Sequence, residues 1–247
     1  MAGFVKRVCL LTGAGGRLGE AFCRTYADQY DIVAVYRTRH PEVPSQVQRL
    51  RDPRNPTASV PDNEHPVFAV QADLLETGQV RRVVELALTR FDRVDVLLNA
   101  AADVQFHGPL VEAERLGPAF RAQMELNVMV PMQLVSQLHE ASWRHTPDEN
   151  RALRRHVLNV SSTSGLRIYT GHHQAVYSAS KAALNYLTCH MADELSAIGV
   201  RANALAPNSF PAIVTTERVV EALVRLDEGD ATGQVLELDA EGERSTR

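Results

Sequence analysis

Residues 7–26 read RVCLLTGAGGRLGEAFCRTY, and three kinds of segment follow one another in them. RVCLLTG (7–13) is a short apolar run that stops at glycine, the pattern of a strand buried on both faces. TGAGGRLG (12–19) is a glycine-rich turn. Over 17–30 the side chains of Leu18, Ala21, Phe22 and Tyr26 recur at helical spacing. A buried strand that feeds a helix through so tight a turn is the opening unit of a parallel sheet covered by helices.

The rest of the chain repeats the alternation. Strands are predicted at 32–36, 67–73, 94–100, 155–162, 200–207 and 233–239. Helices are predicted at 77–91, 119–144, 176–199 (ended by Gly199) and 216–226. The segment 37–66 is polar and rich in proline, so it reads as a surface loop with one short helix over 46–51. The segment 143–154 is a polar insertion before the fifth strand. Seven strands in strict alternation with helices predict one α/β domain over 1–247. It is a Rossmann-type, doubly wound, seven-stranded parallel sheet with helices on both faces.

Bulk properties narrow the function. The 247 residues carry a net charge of −4, with no basic excess to favour nucleic acid as a partner. No apolar run approaches membrane-spanning length. MAGFVKR runs directly into the first strand, so no secretory leader is expected. Cys9, Cys23 and Cys189 are far apart in apolar contexts. They read as free thiols of a reducing compartment, hence a cytoplasmic protein. His172 and His173 are adjacent and point differently, and no other ligands cluster, so no metal site is expected.

A glycine loop after the first strand lets the backbone approach a pyrophosphate at a helix N-terminus. The residue type after the second strand then discriminates between dinucleotides. An acid would hold a ribose hydroxyl, whereas an arginine suits a 2′-phosphate. Here the chain reads VYRTRH, with no acid before Glu42. Arg37, together with Arg17 inside the glycine loop, points to NADP(H); Arg39 reads as a solvated surface charge.

VYSASKAALNYL (176–187) sets Tyr177 and Lys181 four residues apart, on one helix face. The chain has only two lysines, Lys6 and Lys181, so a lysine beside a tyrosine stands out against the arginine-rich background. A cation near a phenol favours the phenolate.

TGAGGRLG, LLNAAA (97–102), NVSS (159–162) and YSASK (177–181), in this order, resemble the short-chain dehydrogenase/reductase family over residues 7–239. Arg17 in TG-x-x-x-R-x-G, YRT after the second strand and NVMVP (127–131) are most similar to the pteridine reductase-type, NADPH-dependent branch. The resemblance implies four catalytic residues: Asn127 holding a water, Ser162 binding the substrate oxygen, Tyr177 as proton donor and Lys181 as its cationic neighbour. Ser162 is selected by its place at the strand end; counting back from Tyr177 would select Ser164 instead. The resemblance also implies cofactor contacts at Gly13, Arg17, Leu18, Gly19, Arg37, Thr38, Asp73, Leu74, Asn99, Ala100, Ala101, Tyr177, Lys181, Pro207 and Asn208. Asn208 stands where the family usually has glycine, and Ala100 where it has a second asparagine.

Three functions are compatible with these residues. The first is an NADPH-dependent reductase acting on a small-molecule carbonyl, the second a pteridine or other C=N reductase, and the third a non-catalytic NADPH sensor or scaffold. The apolar surplus on the helices at 119–144 and 176–199, with the resemblance, implies a homodimer or homotetramer. The segment 208–231 is shorter than the family's usual substrate cover, so an open pocket is expected.

Overall fold

The computed structural model describes residues 6–47, 65–104 and 108–246. The strands are β1 (Arg7–Thr12), β2 (Tyr30–Tyr36), β3 (Gln46–Val47), β4 (Val67–Gln71), β5 (Val96–Asn99), β6 (His156–Val160), β7 (Arg201–Pro207), β8 (Val235–Asp239) and β9 (Gly242–Ser245). They form one sheet in the order β3-β4-β2-β1-β5-β6-β7-β8-β9. All pairs are parallel except β8 with β9.

All seven predicted strands are present, and the sheet gains β3 and β9 at its edges. β9 is polar throughout (GERS), so no apolar run marks it; it is an antiparallel return of the chain beside β8. The helix predicted over 46–51 gives way at its start to β3, paired with β4. Its remainder lies outside the described residues.

Strand residues alternate between two buried faces. Leu10, Val33, Leu97 and Val157 point into one core, and Cys9, Leu11, Ile32 and Leu98 into the other. The first core is roofed by α2 (Gln79–Phe91), α4 (Val130–Ala141) and α6 (Ala175–Ser196), the second by α1 (Arg17–Tyr26) and α7 (Thr216–Glu228). Both faces are covered, which is why the strands are apolar without alternation.

The helix predicted over 119–144 starts earlier and is composite. α3 (Ala113–Met124) contains Pro118 in its second turn, a π-helical turn spans Glu125–Met129, and α4 follows. Gly117 and Pro118 disguised the start in the sequence; packing of α3 against α6 overrides that local bias. The polar insertion holds α5 (Pro147–Ala152).

α7 is a core helix. Val219, Ala222 and Leu223 are fully buried against the sheet, and Leu223→Ala would remove about 2–5 kcal/mol. The short segment after β7 therefore leaves one turn, from Ser209 to Val214, to reach the carboxyl edge of the sheet.

A charge network closes the amino edge. Asp227 of α7 accepts hydrogen bonds from Tyr30 Oη (2.7 Å) and His156 Nδ1 (3.2 Å) and pairs with Arg7. Asn203 Nδ2 donates to His156 Nε2 at 2.9 Å. Arg155, fully buried, reaches Thr146 and Glu149 at 2.8 Å each. Asp95 accepts from Val8 N and Arg93 Nε at 2.9 Å each. Burial pushes the His156 imidazole down to about 4, against the pull of the Asp227 hydrogen bond. For Asp227, burial pushes upward, but the His156 hydrogen bond and the Arg7 charge bring it down to about 2.

Candidate active site

Two adjoining cavities open along the carboxyl ends of the central strands, where open α/β sheets bind ligands. The first, about 270 Å³, is lined by Gly13, Gly15 and Gly16, by Arg37, Thr38 and Arg39 after β2, and by Asp73, Leu74, Ala100 and Ala101. The second, about 640 Å³, takes in Arg17, Leu18, Gly19, Ser162, Tyr177, Lys181, Pro207 and Asn208. Gly13, Gly16, Ala100 and Ala102 border both.

Backbone geometry suits a dinucleotide along this cleft. Gly13 has φ +76°, and a Cβ there would lie 2.7 Å from Ala101 N, so a side chain would close the cradle. The N-terminus of α1 has no side-chain cap among the described residues, and Arg17, Leu18 and Gly19 of its first turn line the second cavity. Thr12 Oγ1 accepts from Ala100 N and Ala101 N, at 3.1 Å each, and holds the two cavity-lining loops together.

Arg39 stands at the surface, as read, and also has partners in the fold. Its Nε donates to Gly15 O at 2.7 Å, and its guanidinium pairs with Glu20 at 2.9 Å, so it anchors the glycine turn. Asn99 lines neither cavity. Its Nδ2 donates to Asn159 Oδ1 at 2.8 Å inside the sheet, and Asn159 in turn donates to Thr188 Oγ1 at 2.8 Å.

Tyr177 and Lys181 share the face of α6 that overlooks the second cavity. Lys181 is 2% exposed. Its Nζ donates to Val160 O at 2.8 Å and lies 5.8 Å from the Tyr177 ring centroid. Burial pushes the Lys181 ammonium down to about 8. Burial also raises the pKa of the Tyr177 phenol, opposed by a hydrogen bond with Ser162. The Lys181 ammonium is directed at the Val160 carbonyl.

Ser162, and not Ser164, is the serine joined to Tyr177. It caps a 3-10 turn over Thr163–Gly165, where its Oγ accepts from Ser164 N at 3.1 Å. Ser164 Oγ instead accepts from Gln174 Nε2 at 3.1 Å. The turn lies hard against α6, because a Cβ on Gly165 would sit 2.7 Å from the Lys181 carbonyl carbon. Asn127 lies in the π turn, 1% exposed. Its Nδ2 donates to Asp103 O and Ser180 Oγ at 3.0 Å each, and its Oδ1 accepts from Asp103 N at 2.8 Å.

No motif in the sequence singled out Tyr169, His172 and Gln174 on one wall of the second cavity, or Val104, Phe210 and Ile213 on the others. The signal available for them was position only: each follows the carboxyl end of a strand. Tyr169 Oη donates to Thr163 Oγ1 at 2.8 Å, and its ring stacks on His172 at 5.6 Å. Among the described residues, no group of three His, Cys, Asp or Glu is placed to hold a metal, and no helix is long and apolar enough to cross a membrane.

The short chain dehydrogenase family matches residues 7–222. A 3-oxoacyl-[acyl-carrier-protein] reductase from Synechocystis sp. is 26% identical over 230 residues, covering 91% of this chain and 83% of the relative. The structure of 3-ketoacyl-(acyl-carrier-protein) reductase from Brucella melitensis, complexed with NADH, superposes with a TM-score of 0.77 at 23% identity, over 95% of this chain and 97% of that one. A blue fluorescent protein from a metagenomic library, in complex with NADPH, gives 0.73 at 24% identity, over 95% and 96% of the two chains. At such identities the two structures speak for the fold, whereas the family match spans most of the chain and runs through the glycine loop, the serine turn and the Tyr177–Lys181 helix. The chain belongs to the short-chain dehydrogenase family and is an oxidoreductase of that family.

Proposed function

We propose that the protein is an NADPH-dependent reductase of a carbonyl compound, with Tyr177 as proton donor. The observation that carries this reading is the grouping of Ser162, Tyr177 and Lys181 on one cavity wall that adjoins the glycine cradle. Gly13, Leu18, Gly19 and the uncapped start of α1 would hold the pyrophosphate; Thr38, Asp73, Leu74, Ala100 and Ala101 would hold the adenosine half. Arg37 would face the 2′-phosphate. The dinucleotide, when bound, would supply a hydride.

The residues of the chain supply the rest. Ser162 Oγ and Tyr177 Oη both donate toward the substrate oxygen. As the carbonyl carbon gains the hydride, that oxygen becomes an alkoxide and takes the Tyr177 proton, giving an alcohol. Burial keeps the phenol protonated to higher pH than usual, which suits an acid that waits for an alkoxide. Lys181 compensates the phenolate left behind, and Asn127 fixes the Asp103 loop and Ser180 behind it.

Pteridine or other C=N reduction is the second reading. Arg17 favours it, because it lines the Tyr177 cavity and not the one lined by Arg37. The exposed Phe120, Met129 and Met132, beside a groove of about 460 Å³ on α3 and the π turn, support pairing of two copies there. Free thiols support a cytoplasmic, reducing compartment.

The test is NADPH and NADH oxidation with ketoesters, diketones, quinones and dihydropterins. Arg37→Ala is expected to weaken NADPH binding roughly 10- to 100-fold while leaving NADH nearly unchanged. Equal use of both nucleotides by the parent protein defeats the NADPH assignment, and turnover confined to dihydropterins selects the second reading.

A further inference from the structure

The large hydrophobic side chains that stand exposed among the described residues fall mainly into two groups. Leu75, Phe120 and Met129 line the groove on α3 and the π turn, and Met132 is exposed one turn beyond it. Val104, Leu110, Val111, Ile168 and Ile213 belong to the segments around the mouth of the second cavity. Val104 and Ile213 are 47% and 48% exposed, yet both line that cavity. Ile168 is 92% exposed, on the loop whose Tyr169, His172 and Gln174 form the cavity wall. The backbone bond from Gly108 N to His173 O, 2.8 Å, sets the loop that leads to Leu110 and Val111 beside it.

An apolar rim of this kind is unusual on a water-facing surface and marks a binding surface. Its continuity with the catalytic cavity argues for the substrate as its occupant, since Val104 and Ile213 face both the cavity and the rim. Among the described residues the cavity is lined by Arg17, Lys181 and His172 and by no Asp or Glu, so it disfavours a cationic substrate. The turn with Phe210 and Ile213 stands in for a full cover, so a substrate longer than the cavity can leave over the edge.

We infer that the substrate is a carbonyl compound bearing a long uncharged aliphatic chain, its carbonyl at Tyr177 and its chain leaving the cleft over Phe210 and Ile213 toward Val104 and Ile168. This rests on the carbonyl-reductase reading and adds the substrate class to it. The chain gains by leaving water on contact with the rim, so affinity grows with its length until the rim is covered.

The experiment uses ethyl 3-oxoalkanoates with acyl chains of increasing length. Two readouts are taken: NADPH oxidation, and calorimetric binding to the protein loaded with NADP⁺. KM is expected to fall by about threefold or more per two added methylenes, with kcat little changed. Ile168→Ser and Ile213→Ser are expected to flatten that series. Turnover with a KM independent of chain length overturns the inference and leaves the reductase reading standing. No turnover, but binding that tightens with chain length and is flattened by Ile168→Ser, keeps the inference and removes the reductase reading. Neither turnover nor length-dependent binding overturns both.

Discussion

At the amino ends of the strands, Arg7, Asp95, Arg155, His156, Arg201 and Asp227 are brought together and answer one another's charges. At the carboxyl ends stand Gly13, Ala100, Ser162 and Asn208, which are small or uncharged and line the two cavities. The first end is closed: its hydrogen bonds join β1, β6, β7 and α7 and exclude solvent. The second end is open, with an uncapped helix and a glycine cradle whose complement is a ligand. The same parallel sheet produces both. All strands except β9 point one way, so one edge can be devoted to stability and the other to binding. Lys181 is the exception. It is a charge buried at the open end whose one hydrogen-bond acceptor among the described residues is a backbone carbonyl, and burial there is what pushes it down to about 8.

Substitutions test this division. The largest effect is expected at the open end, where Tyr177→Phe should lower kcat on the order of 10²–10⁴-fold. Its melting temperature and nucleotide affinity should stay near those of the parent, as read by thermal unfolding and fluorescence titration. A variant that keeps full turnover would remove Tyr177 from the chemistry. Ser162→Ala should lower kcat about 10²-fold, and Ser164→Ala only a few-fold, because Ser164 bonds Gln174 and not Tyr177; steady-state kinetics showing the reverse order would exchange their roles.

The closed end should respond in stability alone. Asp227→Ala leaves Arg7 and His156 without their shared carboxylate and should lower unfolding free energy by about 3–5 kcal/mol, with nucleotide affinity unchanged. The smallest effect is a slope. His156 in the unfolded chain titrates near 6.5, whereas in the fold it resists protonation down to about 4. Between those values the unfolded state binds the proton that the native state refuses. Stability therefore falls as pH falls from about 6.5 to 4, by on the order of 3 kcal/mol. Asp227 extends the loss toward pH 2, because its native carboxylate is held below its ordinary range. Urea midpoints at pH 7, 5.5 and 4 measure the slope. His156→Gln should flatten it, and an unchanged slope in that variant would place the acid sensitivity elsewhere.

The two ends were unequally legible in the sequence. The open end is written in short contiguous patterns, such as TGAGGRLG and YSASK, because one turn or one helix face brings those residues together. The closed end is assembled from scattered residues at positions 7, 30, 95, 155, 156, 201 and 227, at the starts of β1, β2, β5, β6 and β7 or on α7, and no local pattern marks them. The seven central strands were legible because both faces are buried, whereas β9 is exposed and polar and left no trace. The cavity walls at Val104, Tyr169 and Ile213 lie on irregular loops, whose composition does not distinguish wall from surface. Gly117 and Pro118 hid the start of α3, since local propensity there is overruled by packing on α6.

The π turn at Glu125–Met129 is in effect an α-helix holding one residue too many: Val130 N bonds back to Glu125 O, five residues earlier. Deleting any one residue from it would restore an ordinary helix and turn everything on one side by about 100°. Asn127 would then lose Asp103 and Ser180, or Leu134 and Leu138, both fully buried on α4, would swing away from the sheet. The segment can accept exchanges at outward positions such as Met129, but its length is locked, because the extra residue is what lets one continuous rod serve two registers.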